Sequence, residues 1–257
     1  STFLGEVDVT SQVVGFLRRL PSGEVLDQVP LDLPEATLRT RAVWYTVTDE
    51  LLHEALREVP AAEASGGSAN GRALGDGLAD SHKIGGGVRS SAGSSPGGDS
   101  GYGNAPGGVV IPTRIPGALH AAEHAAIGLL PLFATCDRWD IGGVSTATHA
   151  DTGEATVFVH DGHPGGAGFA DRGFAALVPW LVATREAIFS CECSAGCPSC
   201  VQSPKCGNGN EPLDKAGAVA VLDIVLAAMS AEEGGNPVDV RHGGDPVQAN
   251  AESAPTS

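Results

Sequence analysis

Five of the chain's six cysteines fall in one short run: Cys191-Glu-Cys193-Ser-Ala-Gly-Cys197-Pro-Ser-Cys200-Val-Gln-Ser-Pro-Lys-Cys206. Tetrahedral zinc takes four thiolate or imidazole ligands, with sulfur about 2.3 Å from the ion. Chelating pairs a few residues apart assemble such a site at little loop-closure cost. Cys197 and Cys200 are the most diagnostic pair. A disulfide knot fits less well, because the odd local count would send one thiol to distant Cys136, which lies in apolar sequence and reads as a small buried hydrophobe. Disulfide-dependent domains are also usually much smaller than 257 residues. The expectation is structural zinc held by four of Cys191, Cys193, Cys197, Cys200 and Cys206. Spacing leaves Cys191 and Cys206 competing for the last place.

Composition sets further bounds. At 42% hydrophobic the chain can bury a sizeable core. No apolar run approaches the roughly 18 residues of a membrane span, and no basic-then-apolar leader is present, which reads as a cytoplasmic protein without membrane contact. The first residue is Ser1 and the sole methionine is Met229, so the chain reads as a piece of a longer product. A net charge of −16 repels nucleic acid on average, so any DNA contact must be local. Two of the three lysines, Lys205 and Lys215, lie in or just after the cysteine run and are the candidate phosphate contacts; solvated charge is the plainer reading.

Periodicity divides the chain into four stretches. Residues 1–62 read as a β-rich block closed by a helix: Gly5 to Leu17, Glu24 to Val29 and Thr37 to Thr48 are strand-like, with an antiparallel meander expected. Asp49 to Val59 then follows a helical period behind Thr48 as N-cap. Residues 63–108 collapse into Gly, Ser, Ala and Asp without an apolar face, and read as a flexible insertion. Residues 109–232 are a helical and β block: a helix from Pro116, strands at Gly143 to His149 and Ala155 to His160, a long helix over Phe169 to Ser190 bent at Pro179, and a helix over Leu213 to Met229 apolar nearly all round. Residues 233–257 read as a disordered tail. The fold class expected is α+β, antiparallel strands with packed long helices and a four-cysteine knuckle at a helix junction.

Three other constellations compete for function. His120-Ala-Ala-Glu123-His124 has the HxxEH form of a zinc hydrolase, with two histidines on one helical face and a glutamate as base. Its Ala-rich helix favours packing and hydrogen bonding instead, and no third ligand stands at a recognisable spacing. His160 to Gly168 lies between a strand and a helix, where amides can cradle phosphate, although Pro164 and the missing Gly-Lys-Ser/Thr ending favour a tight turn. Asp137 to Asp140 is a polar and aromatic cluster that reads as a buried ion pair under an aromatic lid, with base stacking as the alternative.

The run CECSAGCPSCVQSPKCGNGNEPLDK closely resembles the C-terminal zinc-binding domain of MrfA-type DNA helicases, the Hrq and SftH group. The runs VFVHDGHPGGAGFADRGF, GEVDVTSQVVGF and VPLDLPEATLRTRAVWYTV resemble that family's C-terminal region too. The resemblance implies an accessory domain of a superfamily 2, ATP-dependent 3′-to-5′ helicase of bacterial DNA repair, associated with the nucleoid. Four of the cysteines would be the zinc ligands, and the domain would support the RecA-like motor domains and guide single-stranded DNA, as a monomer. The chain has no Gly-Lys-Ser/Thr phosphate loop and no DEAH-like box, so ATP and Mg2+ would belong to motor domains outside it, and no catalytic residue is assigned. A zinc hydrolase using His120, Glu123 and His124, or a module that recruits a repair protein, are the alternatives.

Overall fold

The computed structural model describes residues 1–22, 24–59, 111–233 and 247–250. The Gly/Ser-rich insertion expected at 63–108 lies outside the described residues. The N-terminal block forms β1 (Thr2–Ser11), β2 (Gly15–Arg19), β3 (Val25–Pro30), β4 (Ala36–Val47) and α1 (Asp49–Glu58). The second block forms α2 (Ile111–Leu129), α3 (Pro131–Ala134), a 3-10 turn (Arg138–Asp140), β5 (Ile141–Thr146), β6 (Ala155–Asp161), α4 (Phe169–Ala175), α5 (Leu177–Phe189) and α6 (Lys215–Glu233), and β7 is Val247–Asn250.

Strands from both blocks share one sheet in the order β5-β6-β4-β1-β7, antiparallel except for the parallel β1–β7 pair. The class is α+β. The expected meander is corrected: β1 pairs with β4, from Thr2↔Tyr45 to Ser11↔Ala36, while β2 and β3 leave the sheet as a separate two-stranded ribbon. The physical reason is face assignment. Val7, Val9, Ala42 and Trp44 alternate along β1 and β4 into one buried layer, whereas Val25 and Leu26 on β3 and Phe16 on β2 stay exposed and have no such layer to join.

The other sheet face carries the main core. Val43, Tyr45 and Val47 of β4 and Val157 and Val159 of β6 meet α2, α5 and α6. Helix α2 presents Ala118, Ala121, Ala122, Ala125 and Ala126, all fully buried, and such small side chains let a neighbouring helix come close. Gly217 of α6 uses this approach, since a Cβ there would stand 2.8 Å from Ala118 Cβ. Asp214 starts α6 by accepting from Gly217 N at 2.8 Å through its side chain.

Three helix limits differ from the periodic reading. Helix α2 begins at Ile111 and carries Pro116 inside it, so that proline costs one backbone bond rather than marking the start. The helix expected over Phe169 to Ser190 breaks at Ala176 (φ −109°, ψ 24°), because Pro179 has no N–H for the carbonyl of Ala175 and crowds it. The pair is therefore α4 and α5, with Pro179 in the tolerant first turn of α5. Helix α6 begins at Lys215 and runs on to Glu233. The tail reading is also corrected at Val247–Asn250, whose backbone pairs with Val7–Thr10 on the otherwise open edge of β1. Among the described residues no helix is long and apolar enough to cross a membrane.

Candidate metal centre

Helix α5 ends at Phe189, and the chain turns at once through the cysteine run. Cys200 N donates to Cys197 O at 3.0 Å and Val201 N to the same oxygen at 3.2 Å, a tight turn that brings the Cys197 and Cys200 side chains to one side. Gly196 permits the turn with φ +113°, where a Cβ would stand 2.5 Å from Val201 Cγ2. Val201, fully buried, pins the knuckle to the core.

Four sulfurs converge there. Cys191 Sγ lies 3.6 Å from both Cys193 Sγ and Cys197 Sγ, and Cys200 Sγ lies 3.5 Å from Cys193 Sγ and 3.7 Å from Cys197 Sγ. Four sulfurs about 2.3 Å from a central ion at tetrahedral angles would be about 3.8 Å apart, so the donor set fits zinc with only slight expansion. The same separations are far beyond the roughly 2.05 Å of a disulfide, and all six cysteines are free thiols. Hydrogen bonding, chiefly from the Ser199 backbone, pulls the Cys197 thiol down to about 7, while burial pushes the Cys200 thiol up.

Cys206 is not part of this group. The chain carries it to α2, where its Sγ lies 3.4 Å from His120 Nε2, in a cluster with His124. Glu123, between the two histidines, is buried, and desolvation pushes its carboxyl up to about 7. Burial likewise pushes His120 down and His124 down to about 4, so both rings are neutral at ordinary pH. Sequence reasoning missed this grouping. The available signal was a fifth cysteine in excess of a tetrahedral site, beside a helix with two histidines lacking a third ligand.

Both expected phosphate contacts are engaged internally. Lys215 Nζ donates to the carbonyls of Cys191 and Cys193, the latter at 2.6 Å. A zinc held by the four thiolates would carry a net charge of −2, which an ammonium bound to the carbonyls of two of those cysteines would partly offset. Lys205 Nζ donates to Arg138 O at 3.1 Å and Ile141 O at 2.5 Å, and lies 5.4 Å from the centroid of the Trp139 ring. Each ammonium has three donors. Two are taken in each case.

The loop after β6 binds its own chain. The buried Asp161 carboxylate accepts from Ala167 N at 2.5 Å, Phe169 N at 3.2 Å and Ala170 N at 2.7 Å, occupying the amides that a phosphate would use. The tight-turn reading of this segment describes it. Asp137 to Asp140 departs from the buried ion pair expected: Asp137 and Asp140 form a reciprocal cap on the 3-10 turn, and Trp139 is 67% exposed.

A family model described as the MrfA Zn-binding domain matches residues 122–201. That span contains all four converging cysteines and ends one residue after Cys200. The uncharacterised protein MJ1572.1 of Methanocaldococcus jannaschii is 36% identical over 112 residues, which are 42% of this chain and the whole of that protein. The chain belongs to the MrfA zinc-binding family. The ATP-dependent helicase YprA of Bacillus subtilis is 38% identical over 73 residues, and the ATP-dependent helicase HRQ1 of Saccharomyces cerevisiae 30% over 122 residues. These matches cover 28% and 44% of this chain but only 10% and 11% of the two helicases. The crystal structure of DUF1998 helicase MrfA bound to DNA superposes with a TM-score of 0.45 at 19% identity, covering 87% of this chain and 25% of that one. Zinc is thus the metal that both the family and the four-sulfur geometry support.

Proposed function

We propose that this chain is the zinc-braced accessory domain of an ATP-dependent 3′-to-5′ DNA helicase of DNA repair, in which Cys191, Cys193, Cys197 and Cys200 hold one structural zinc. The observation that carries the reading is the convergence of those four sulfurs inside the span matched by the family. Four thiolates leave a zinc no open position, so the ion fixes structure rather than activating water. It sets how α5 leads into α6, where the loop has few hydrophobes of its own. The HxxEH hydrolase reading is not favoured, because the metal the family names is accounted for by sulfur.

The motor domains, with their ATP and Mg2+, would be the immediate neighbours. The β2–β3 ribbon supports this, since Phe16, Val25 and Leu26 expose the kind of apolar surface that an adjoining domain covers. Single-stranded DNA would pass locally, given the charge of −16, with Trp139 offering a stacking face and the remaining donors of Lys205 and Lys215 offering phosphate contacts. Such a protein would work as a monomer on the bacterial nucleoid. In the full-length helicase, Cys197→Ser with Cys200→Ser should remove one zinc per chain and lower DNA unwinding at least tenfold. Unwinding at the parent's rate with that zinc gone would overturn the proposal.

A further inference from the structure

Among the described residues, one more set of metal-ligating side chains converges outside the four-sulfur knuckle, and it joins α2 to a loop far away in sequence. We propose that His120, His124 and Cys206 form a second metal site, which takes one zinc-class divalent ion through three protein ligands and leaves its fourth position open to the adjoining cavity.

Geometry carries the inference. The ligand atoms of the three residues all lie within 4.8 Å of one another, and His120 Nε2 to Cys206 Sγ is 3.4 Å. Two ligands at about 2.0–2.3 Å and tetrahedral angles from one ion would be about 3.3–3.6 Å apart. His120 and His124 are one helical turn apart on α2, with ring centroids 4.2 Å apart, so a single ion is within reach of both.

The tautomers are set for ligation. His120 Nδ1 lies 2.9 Å from Pro212 O and His124 Nδ1 lies 2.9 Å from Val201 O. A carbonyl only accepts, so both Nδ1 atoms must carry the proton and both Nε2 atoms present a lone pair. Backbone acceptors on the far nitrogen are the usual way a protein orients a metal-binding imidazole. The sulfur is fixed as well: Asn210 N donates to Cys206 Sγ at 3.3 Å, and Ser203 N donates to Asn210 Oδ1 at 2.7 Å.

A cavity of about 730 Å³ opens beside the cluster, lined also by Glu123, Ser145, His160 and Asn208. Three protein ligands with access to solvent match the open type of zinc site, in which water fills the last position. The family-matched span, 122–201, holds all four knuckle cysteines and leaves out both His120 and Cys206.

Metal analysis of the full chain, purified in zinc, tests the proposal. The parent should hold two zinc ions per chain. Cys206→Ser and His120→Ala should each hold one, and after cobalt substitution should keep the intense charge-transfer absorption of four thiolates. Cys197→Ser with Cys200→Ser should also hold one, with the weaker absorption of a single thiolate. A parent holding one zinc, or a Cys206→Ser variant matching the parent's count, would overturn it. Because the tetrathiolate absorption reports the knuckle independently, failure of the second site is distinguishable from failure of the first.

Discussion

Arg114 and Asp214 form an ion pair across the core, Nε donating to Oδ2 at 2.8 Å, with side chains only 7% and 12% exposed. The same guanidinium donates from Nη1 to Leu56 O at 2.9 Å and Val59 O at 2.7 Å. One side chain of α2 therefore satisfies the end of α1 and holds the start of α6.

Breaking that pair from one side strands a buried charge. Asp214→Asn keeps an oxygen to cap Gly217 but removes the negative charge facing Arg114, and should destabilise the chain by about 3–5 kcal/mol. Urea denaturation measures it. A loss below about 1 kcal/mol would mean that water already compensates Arg114.

Zinc at the knuckle should contribute strongly to folding. Binding to small zinc peptides reaches on the order of 10 kcal/mol, and a domain with its own core should lose less on chelation. Chelator should lower the melting temperature of the parent by more than that of Cys197→Ser, which has lost the knuckle ion already. Gly196→Ala tests the turn itself: at φ +113° with Val201 2.5 Å from the new carbon, it should cost about 1–3 kcal/mol and weaken zinc retention. Unchanged metal content and stability in that variant would show that the turn relaxes freely.

Tyr45 should make stability fall in alkali. Its hydroxyl is buried without a hydrogen-bond partner among the described residues, and burial raises its pKa above the ordinary phenol value. The folded state thus holds the proton more tightly than the unfolded one, so stability is complete below the unfolded pKa of about 10 and declines as pH rises above it. Tyr45→Phe should remove that decline at little cost near neutrality, because no hydrogen bond is lost. Melting curves at about pH 8 and pH 11 compare the two proteins, and an identical alkaline decline in both would refute the assignment.

Trp139 should matter to DNA and not to folding. In the full-length helicase Trp139→Ala should weaken single-strand binding by about 1–3 kcal/mol, the range of one base–aromatic stack, with thermal stability unchanged. Fluorescence anisotropy at fixed salt reads the affinity. Parental affinity in the variant would remove Trp139 from the DNA path.

The cysteine knuckle was legible in sequence because its chelation is local. Cys191 to Cys200 span one turn-rich segment, and spacing alone brings their sulfurs within reach of each other. The helical periods of α1 and α6 and the strand character of β1, β4 and β6 were legible for the same reason, since each depends on residues a few positions apart. Pairing partners were not. That β1 crosses to β4, that β2 and β3 stand apart, and that Val247–Asn250 closes an edge depend on which faces find a common buried layer.

Sequence by itself determined that this chain carries a sulfur-rich metal knuckle between two apolar helices, because ligand spacing and apolar period are properties of neighbouring residues. Tertiary structure alone decided that Cys206 leaves the knuckle for His120, 86 residues away, and that Lys205 and Lys215 turn inward to carbonyls. The first of these outcomes follows from packing α2 against the loop before α6. No local pattern encodes a distance between segments that meet only when the core closes.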